Sequence, residues 1–359
     1  MSVLKDWIRA GRTEISLLRP TKTADYIGWP GHHNLGDEAL YYAIRDAFRP
    51  LTLLHKPSPR VLRLASTLGI APHYAFAILG GGTLIGELGY LGQLERAMPF
   101  AKSTIVFGTG VEDPTFWTTR DAKRYNLAAW KEILERCSYI GVRGPRSHAY
   151  LQQIGIQSDI LGDPVSMFVQ SDPHPLTTDR HLGLNLGVGS EGMFSDEKTV
   201  FATLSAFAKK MLADGWKITL YVVWPKDLAI SRAFAADVGI PSGNIRRIYH
   251  SPAQFMAAVR RHPVFVGFKL HGVVLSYCAG VPAYMIEYRP KCRDFMESIG
   301  AEAFITRADQ LSLEQLLAKV DQLQREGPAL IQKTTRHLQS FRDKQIATAQ
   351  RLIKQAACA

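Results

Sequence analysis

Phe265-Val266-Gly267-Phe268-Lys269-Leu270-His271-Gly272-Val273-Val274, followed by Ala279-Gly280-Val281-Pro282, is the stretch from which the fold of this chain is read. An apolar run of strand type delivers Lys269 and His271, two residues apart, into a turn bearing Gly272. A second apolar run, expected as a helix over Gly272–Ala279, follows directly. In an α/β protein the carboxyl end of a strand is where the chain opens into a ligand-binding crevice. A cation beside an imidazole at such an end suits an anionic substrate that also needs a proton moved, although the same pair can simply face solvent.

The alternation extends in both directions. Strands are expected at Thr23–Gly28, Thr52–Leu54, Phe76–Leu79, Thr104–Phe107, Tyr139–Val142 and Asp159–Leu161, with helices over Asp37–Ala47, Leu91–Ala101, Ala122–Cys137 and Pro145–Ile154. The pattern restarts with strands at Leu182–Leu186, Lys217–Val223, Asn244–Arg247, Val264–Gly267 and Ala283–Ile286. Helices around Val200–Asp214, Ala229–Val238 and Pro252–Arg260 lie between them. Strands separated by helices favour parallel sheets built from βαβ units. The expected fold is therefore α/β, with two Rossmann-like domains (1–169 and 181–327) facing each other across a cleft. The polar, proline-bearing segment 170–180 reads as the linker, and a C-terminal helix over 328–359 is expected to pack back on the first domain.

A chain of 359 residues suits two ordinary cores, and 46% hydrophobic with 21% charged residues is a globular composition. The longest apolar runs, such as Ala75–Leu79, fall far short of a bilayer span, and Met1–Asp6 has no signal-peptide core, so a cytoplasmic protein is expected. Cys137, Cys278, Cys292 and Cys358 have no paired metal-ligand spacing and read as reduced thiols. The net charge of +11 points to an anionic partner. Its basic residues are dispersed and no aromatic-studded basic motif appears, which argues against nucleic acid. Peripheral contact with the inner face of the cell membrane fits the charge.

Five segments stand at expected strand ends. Gly31-His32-His33-Asn34-Leu35-Gly36-Asp37-Glu38 reads as a turn with a capped helix start, at which Asp37 is either a cap or a working carboxylate. Gly80-Gly81-Gly82 allows close backbone approach to a ligand, and Phe107-Gly108-Thr109-Gly110 is expected to repeat that turn. Arg143 leaves an apolar strand just before Pro145, where a guanidinium forks a carboxylate or phosphate or pairs with a surface acid. Asp163, before Pro164, is expected to brace the interdomain turn. There is no Walker loop, no Gly-x-Ser-x-Gly elbow and no zinc spacing, and Gly187-Val188-Gly189 does not complete a dinucleotide fingerprint.

Taken in order, these pieces resemble the polysaccharide pyruvyltransferase family. The matching residues are Asn34–Glu38, Gly80–Gly82, Val142-Arg143 with Ser147 and Leu151, Gly162–Pro164, Leu270-His271, Gly280–Pro282, and Tyr288 with Lys291. The resemblance implies a GT-B-like architecture, with the first domain on the acceptor side and the second on the donor side. It implies transfer of the pyruvyl group of phosphoenolpyruvate onto sugar hydroxyls of a polysaccharide or its precursor, forming a ketal and releasing phosphate. Phosphoenolpyruvate would be a co-substrate, with no cofactor and no metal required, and the saccharide acceptor would be free or lipid-linked. His271 would be catalytic, with Asp37 sharing the proton work. Arg143, Lys269 and Lys291 would hold the donor, and Asn34, Gly81, Gly82 and Tyr288 would line the substrate. Lys269 stands where the family carries arginine, so the charge is kept and the planar fork is lost. The alternatives are a GT-B glycosyltransferase using a nucleotide sugar and a non-catalytic sugar-binding member of the fold.

Overall fold

A computed structural model of the chain describes residues 22–55, 74–117, 122–171, 179–187 and 192–358. The residues before Lys22, most of the expected linker (172–178), and Val188 and Gly189 of the incomplete fingerprint lie outside them. The chain divides into two compact units. The first gathers Met1–Pro30, Leu40–Pro164 and Asp343–Ala359, and the second gathers Gly31–Ala39 and Val165–Arg342. Gly31–Ala39, expected in the first domain, thus groups with the second unit.

In the first unit the strands are β1 (Thr23–Ile27), β2 (Thr52–His55), β3 (Tyr74–Leu79), β4 (Thr83–Ile85), β5 (Ala101–Val111), β6 (Tyr139–Val142) and β7 (Asp159–Ile160). They pair in parallel in the order β2-β1-β3-β5-β6-β7, with β4 alongside β5. β3, Tyr-Ala-Phe-Ala-Ile-Leu, is buried at every position, as a parallel strand covered on both faces must be. The order reverses between β1 and β3, so Gly80–Gly82, directly after β3, stand at a topological switch point.

Two expectations here are corrected. Phe107–Gly110 is not a turn but the end of the long β5, in which Gly108 (φ 71°) carries a register shift against β6. The helix expected over Ala122–Cys137 is two 3₁₀ turns, Ala122–Arg124 and Ala128–Trp130, then a short helix, Lys131–Glu135. Asn126 diverts the chain: its N–H donates to Gly86 and its side chain accepts from Ala129 N–H at 3.1 Å, restarting the turn.

The second unit holds β8 (His181–Asn185), β9 (Lys217–Val222), β10 (Ile245–Arg247), β11 (Val264–Gly267), β12 (Ala283–Glu287) and β13 (Ile305–Arg307). All pair in parallel in the order β10-β9-β8-β11-β12-β13, which reverses between β8 and β11. This is the Rossmann order, and its ligand crevice belongs outside the carboxyl ends of those two strands. β13 and the helix Pro290–Ser298 extend the expected pattern.

At the opposite end of this sheet His262, 1% exposed, bonds to the Tyr221 hydroxyl at 2.8 Å and to the His181 carbonyl at 3.2 Å. Burial, with the neighbouring His181 charge, pushes its imidazole down to about 3. The unfolded chain therefore binds this proton near pH 6.5 while the folded chain does so only near 3, and stability falls as pH drops through that window. Melting curves from pH 7 to 4 should lose stability at up to roughly 1.4 kcal/mol per pH unit. His262→Gln should flatten that slope, and an equally steep variant would contradict the assignment.

The C-terminal segment is one helix, Leu313–Cys358, continuous through Pro328 rather than beginning there. Leu316, Val320, Leu323, Ile331, Leu338, Gln345, Ala349 and Leu352 are buried at helical spacing, and this packing outweighs the bond that Pro328 removes. Its last turns pack on the first unit, where Lys344 donates to Ile160 O (2.7 Å) and Gln345 to Leu161 O (3.2 Å) and Asp163 O (3.1 Å).

Candidate active site

The switch point of the second sheet is built around Asn185, the fully buried last residue of β8. Its Oδ1 accepts the Lys269 N–H at 2.8 Å and its Nδ2 donates to Tyr221 O at 2.7 Å, fixing the chain where it leaves β11. Lys269 is the N-cap of the helix Leu270–Cys278, so His271 lies in the first turn of that helix, and Gly272 lies within it rather than in a preceding turn. Unpaired amides and the helix dipole make this end favourable for an anion.

Lys269 is held on three sides. Its ammonium stands 3.3 Å from Asp227, which is fully buried, and it lies over the rings of Trp224 (5.1 Å) and Tyr288 (5.9 Å). A Cβ at Gly187 would come 2.8 Å from its Cδ, so only glycine lets the lysine stem cross there. Tyr288 stacks on Phe268 with ring centroids 4.8 Å apart, and Lys291 lies 5.2 Å over its ring. Two ammonium groups thus lie within about 6 Å of one phenol ring.

The segment Gly31–Ala39 completes this site within the second unit. Leu35 N–H donates to Val223 O at 3.0 Å, anchoring the segment at the carboxyl end of β9. Asn34 Oδ1 accepts from Gly36 N–H (3.1 Å), and Glu38 Oε1 accepts from Gly31 N–H (2.7 Å). Asn34 and Glu38 therefore close the turn, and Asp37 is left half-buried in the first helical turn. Gly36 lies against the half-buried His271: a Cβ there would overlap Nδ1 and come 2.7 Å from Cγ. Gly36→Ala should displace the imidazole, and lower turnover at least about tenfold with little loss of thermal stability. Unchanged turnover would show that the contact does not position His271.

The first unit places Arg143, Gly81 and Gly82 at its own strand ends. Arg143 is 1% exposed, and its Nη1 donates to Thr83 Oγ1 (3.2 Å) and Gly82 O (3.4 Å). Gly110 N–H also donates to Gly82 O, at 2.7 Å, and a Cβ at Gly110 would come 2.8 Å from the guanidinium carbon. The expected donor clamp is thus a buried guanidinium that holds the Gly82–Thr83 turn. Gly81 faces the Leu40 side chain, with a Cβ there only 2.9 Å from Leu40 Cγ, and Gly82 needs glycine for its φ of 111°. Ser147 Oγ accepts from Val111 N–H at 2.9 Å.

Sequence reasoning missed Asn185, Trp224 and Asp227, although each stands at or within a turn of an expected strand end. Arg289, the 6% exposed N-cap of Pro290–Ser298, donates through Nε to Gly192 O at 2.9 Å and was missed as well. Among the described residues no group of three or more His, Cys, Asp or Glu side chains could hold a metal ion. No helix among them is long and apolar enough to cross a membrane.

A family model for polysaccharide pyruvyl transferase matches residues 34–290, well over half of the chain. The match opens on Asn34 and closes on Pro290, so it spans the site from the turn at Gly36 to Tyr288, with Lys291 just beyond it. No curated protein matches. Among solved structures, the pneumococcal O-GlcNAc transferase GtfA, in complex with UDP and GlcNAc, is 14% identical with a TM-score of 0.52, over 83% of this chain and 60% of that one. A Listeria monocytogenes protein described as a UDP-N-acetylglucosamine 2-epimerase is 11% identical with a TM-score of 0.52, over 86% of this chain and 90% of that one. These two likenesses show the fold alone, two parallel-sheet α/β units of GT-B-like kind. With the family match laid over the residues gathered around His271, the chain belongs to the polysaccharide pyruvyl transferase family and is a transferase.

Proposed function

We propose that the protein moves the pyruvyl group of phosphoenolpyruvate onto hydroxyls of a bacterial-type polysaccharide or its precursor, forming a ketal and releasing phosphate. The observation that carries this reading is His271 in the first turn of a helix at the β8/β11 switch point, two residues after Lys269 and against Gly36. The donor carries a phosphate and a carboxylate. Lys269 and Lys291, both near the Tyr288 ring, supply two cations for them, and the amides opening the Leu270–Cys278 helix add donors.

Protonation of the donor's methylene carbon leaves a cationic centre at the next carbon, which a sugar hydroxyl attacks while losing its own proton. Attack by a second hydroxyl expels phosphate and closes the ketal. His271 is the group that moves a proton in these steps, worth on the order of 10²–10⁴-fold, and Asp37, the residue after Gly36, would share it. Asn34 shapes the turn beneath them. Arg143 acts through the Gly82–Thr83 turn, which with Gly81 would line the saccharide. We place the reaction in the cytoplasm, on an acceptor that is free or lipid-linked.

Phosphate release from phosphoenolpyruvate, followed with a panel of saccharides and of nucleotide sugars, tests this reading. Saccharide-dependent phosphate release with a pyruvylated product is expected. Nucleotide release without consumption of phosphoenolpyruvate would overturn it in favour of glycosyl transfer.

A further inference from the structure

The first unit contains a cavity of about 500 Å³ that the reading above does not use. It lies beyond the carboxyl end of β5 and is lined by Glu112, Asp113, Trp117, Tyr125, Asn126 and Gly86, among others. Trp117 and Tyr125 stack at 3.7 Å between ring centroids with only 6° between their planes. The indole N–H donates to Glu112 Oε2 at 3.3 Å, so the ring is fixed by a bond and by a neighbour. Asp113 is held as firmly: Oδ1 accepts from Thr115 N–H (2.8 Å) and Oγ1 (2.7 Å), and Oδ2 accepts from the Tyr150 hydroxyl (2.8 Å). Asn126 is tied to Gly86 through its backbone N–H. A rigid half-buried aromatic wall beside fixed carboxylates and an amide is therefore formed before any ligand arrives.

From this we infer that the cavity is a saccharide subsite, in which a sugar ring lies against the Trp117–Tyr125 wall and its hydroxyls donate to Glu112 and Asp113. The chemistry selects the ligand class. An aromatic wall covers the C–H face of a sugar, and carboxylates are acceptors that hydroxyls satisfy. Two neighbouring carboxylates disfavour a phosphate or carboxylate, and with Arg124 lying 5.7 Å over the ring of Tyr125 the lining is of mixed charge, which suits a neutral sugar. The inference rests on the proposed saccharide acceptor, which this cavity would bind at a point separate from the proton chemistry.

Saturation-transfer NMR with neutral trisaccharides of glucose, galactose, mannose and N-acetylglucosamine, and with a glucuronate-bearing trisaccharide, tests it on the full chain. At least one neutral sugar should receive saturation, Trp117→Ala should reduce its affinity by up to about tenfold, and Trp117→Phe should restore most of it. Glu112→Gln should narrow the preference for neutral over anionic sugar, an effect that a merely structural carboxylate would not produce. Equal affinity in wild type and in a Trp117→Ala protein of unchanged melting temperature would overturn the site, as would preference for a cationic peptide over every sugar. Phosphate release measured on the same proteins separates the two readings. Normal saccharide-dependent pyruvyl transfer in Trp117→Ala removes this subsite and leaves the function standing. Trp117-dependent sugar binding without any pyruvyl transfer does the reverse.

Discussion

His271→Ala is expected to lower turnover by about 10²-fold or more, with donor affinity and melting temperature close to those of the parent. The imidazole is half-buried in the first turn of the Leu270–Cys278 helix, and the rest of that helix is buried apolar surface. The helix therefore does not depend on the imidazole for its packing. Truncation removes the group from a site whose floor, Gly36, and whose cations, Lys269 and Lys291, stay in place. A proton-transfer role makes a further demand that a structural role does not: added imidazole should restore part of the turnover to His271→Ala. Gly36→Ala, which keeps the imidazole but crowds it, should not respond to imidazole in the same way. Near-normal turnover in His271→Ala, or a loss explained entirely by unfolding, would remove the assignment.

The parallel α/β character was legible because both sheets are covered on both faces. Strands such as Tyr74–Leu79 and Val264–Gly267 therefore appear as unbroken apolar runs bounded by glycine. The residues leaving those runs, His271, Lys269 and Arg143, were legible for the same reason. Side-chain destinations were not. Arg143 and Lys269 read alike as cations at strand ends, yet one is buried under Gly110 and the other is matched by Asp227. Nothing local marks Asp227 as a partner, since its position comes from β9 and that of Lys269 from β11, brought near only by the strand order. The membership of Gly31–Ala39 in the second unit was equally hidden, because it follows from the bond between Leu35 and Val223, nearly the whole sheet away in sequence. The helix wrongly expected over Ala122–Cys137 shows the opposite limit. Its apolar spacing is helical, but one asparagine side chain ends and restarts the turn.

Lys269→Met is expected to destabilise the protein by about 3–5 kcal/mol and to weaken donor binding, and the two effects should separate in a double variant. Asp227 is fully buried and the lysine side chain only 14% exposed, so screening by solvent is small. Removing the lysine alone leaves a carboxylate in a dry site without the cation 3.3 Å away, and that desolvated charge is the source of the loss. Lys269→Met combined with Asp227→Asn removes both charges at once and should recover much of the stability, as read by denaturant midpoint. Donor affinity should stay low in the double variant if the ammonium also faces an anionic group of phosphoenolpyruvate, because no cation has been restored. Lys269→Arg keeps the charge, but its broader head must pass Gly187 and fit between Trp224 and Tyr288, so it should retain stability and lose less than about tenfold in affinity. The informative failure is a double variant that regains both stability and donor affinity. In that case Lys269 serves only to neutralise Asp227, and the donor's anionic groups must be met by Lys291 and the helix amides alone.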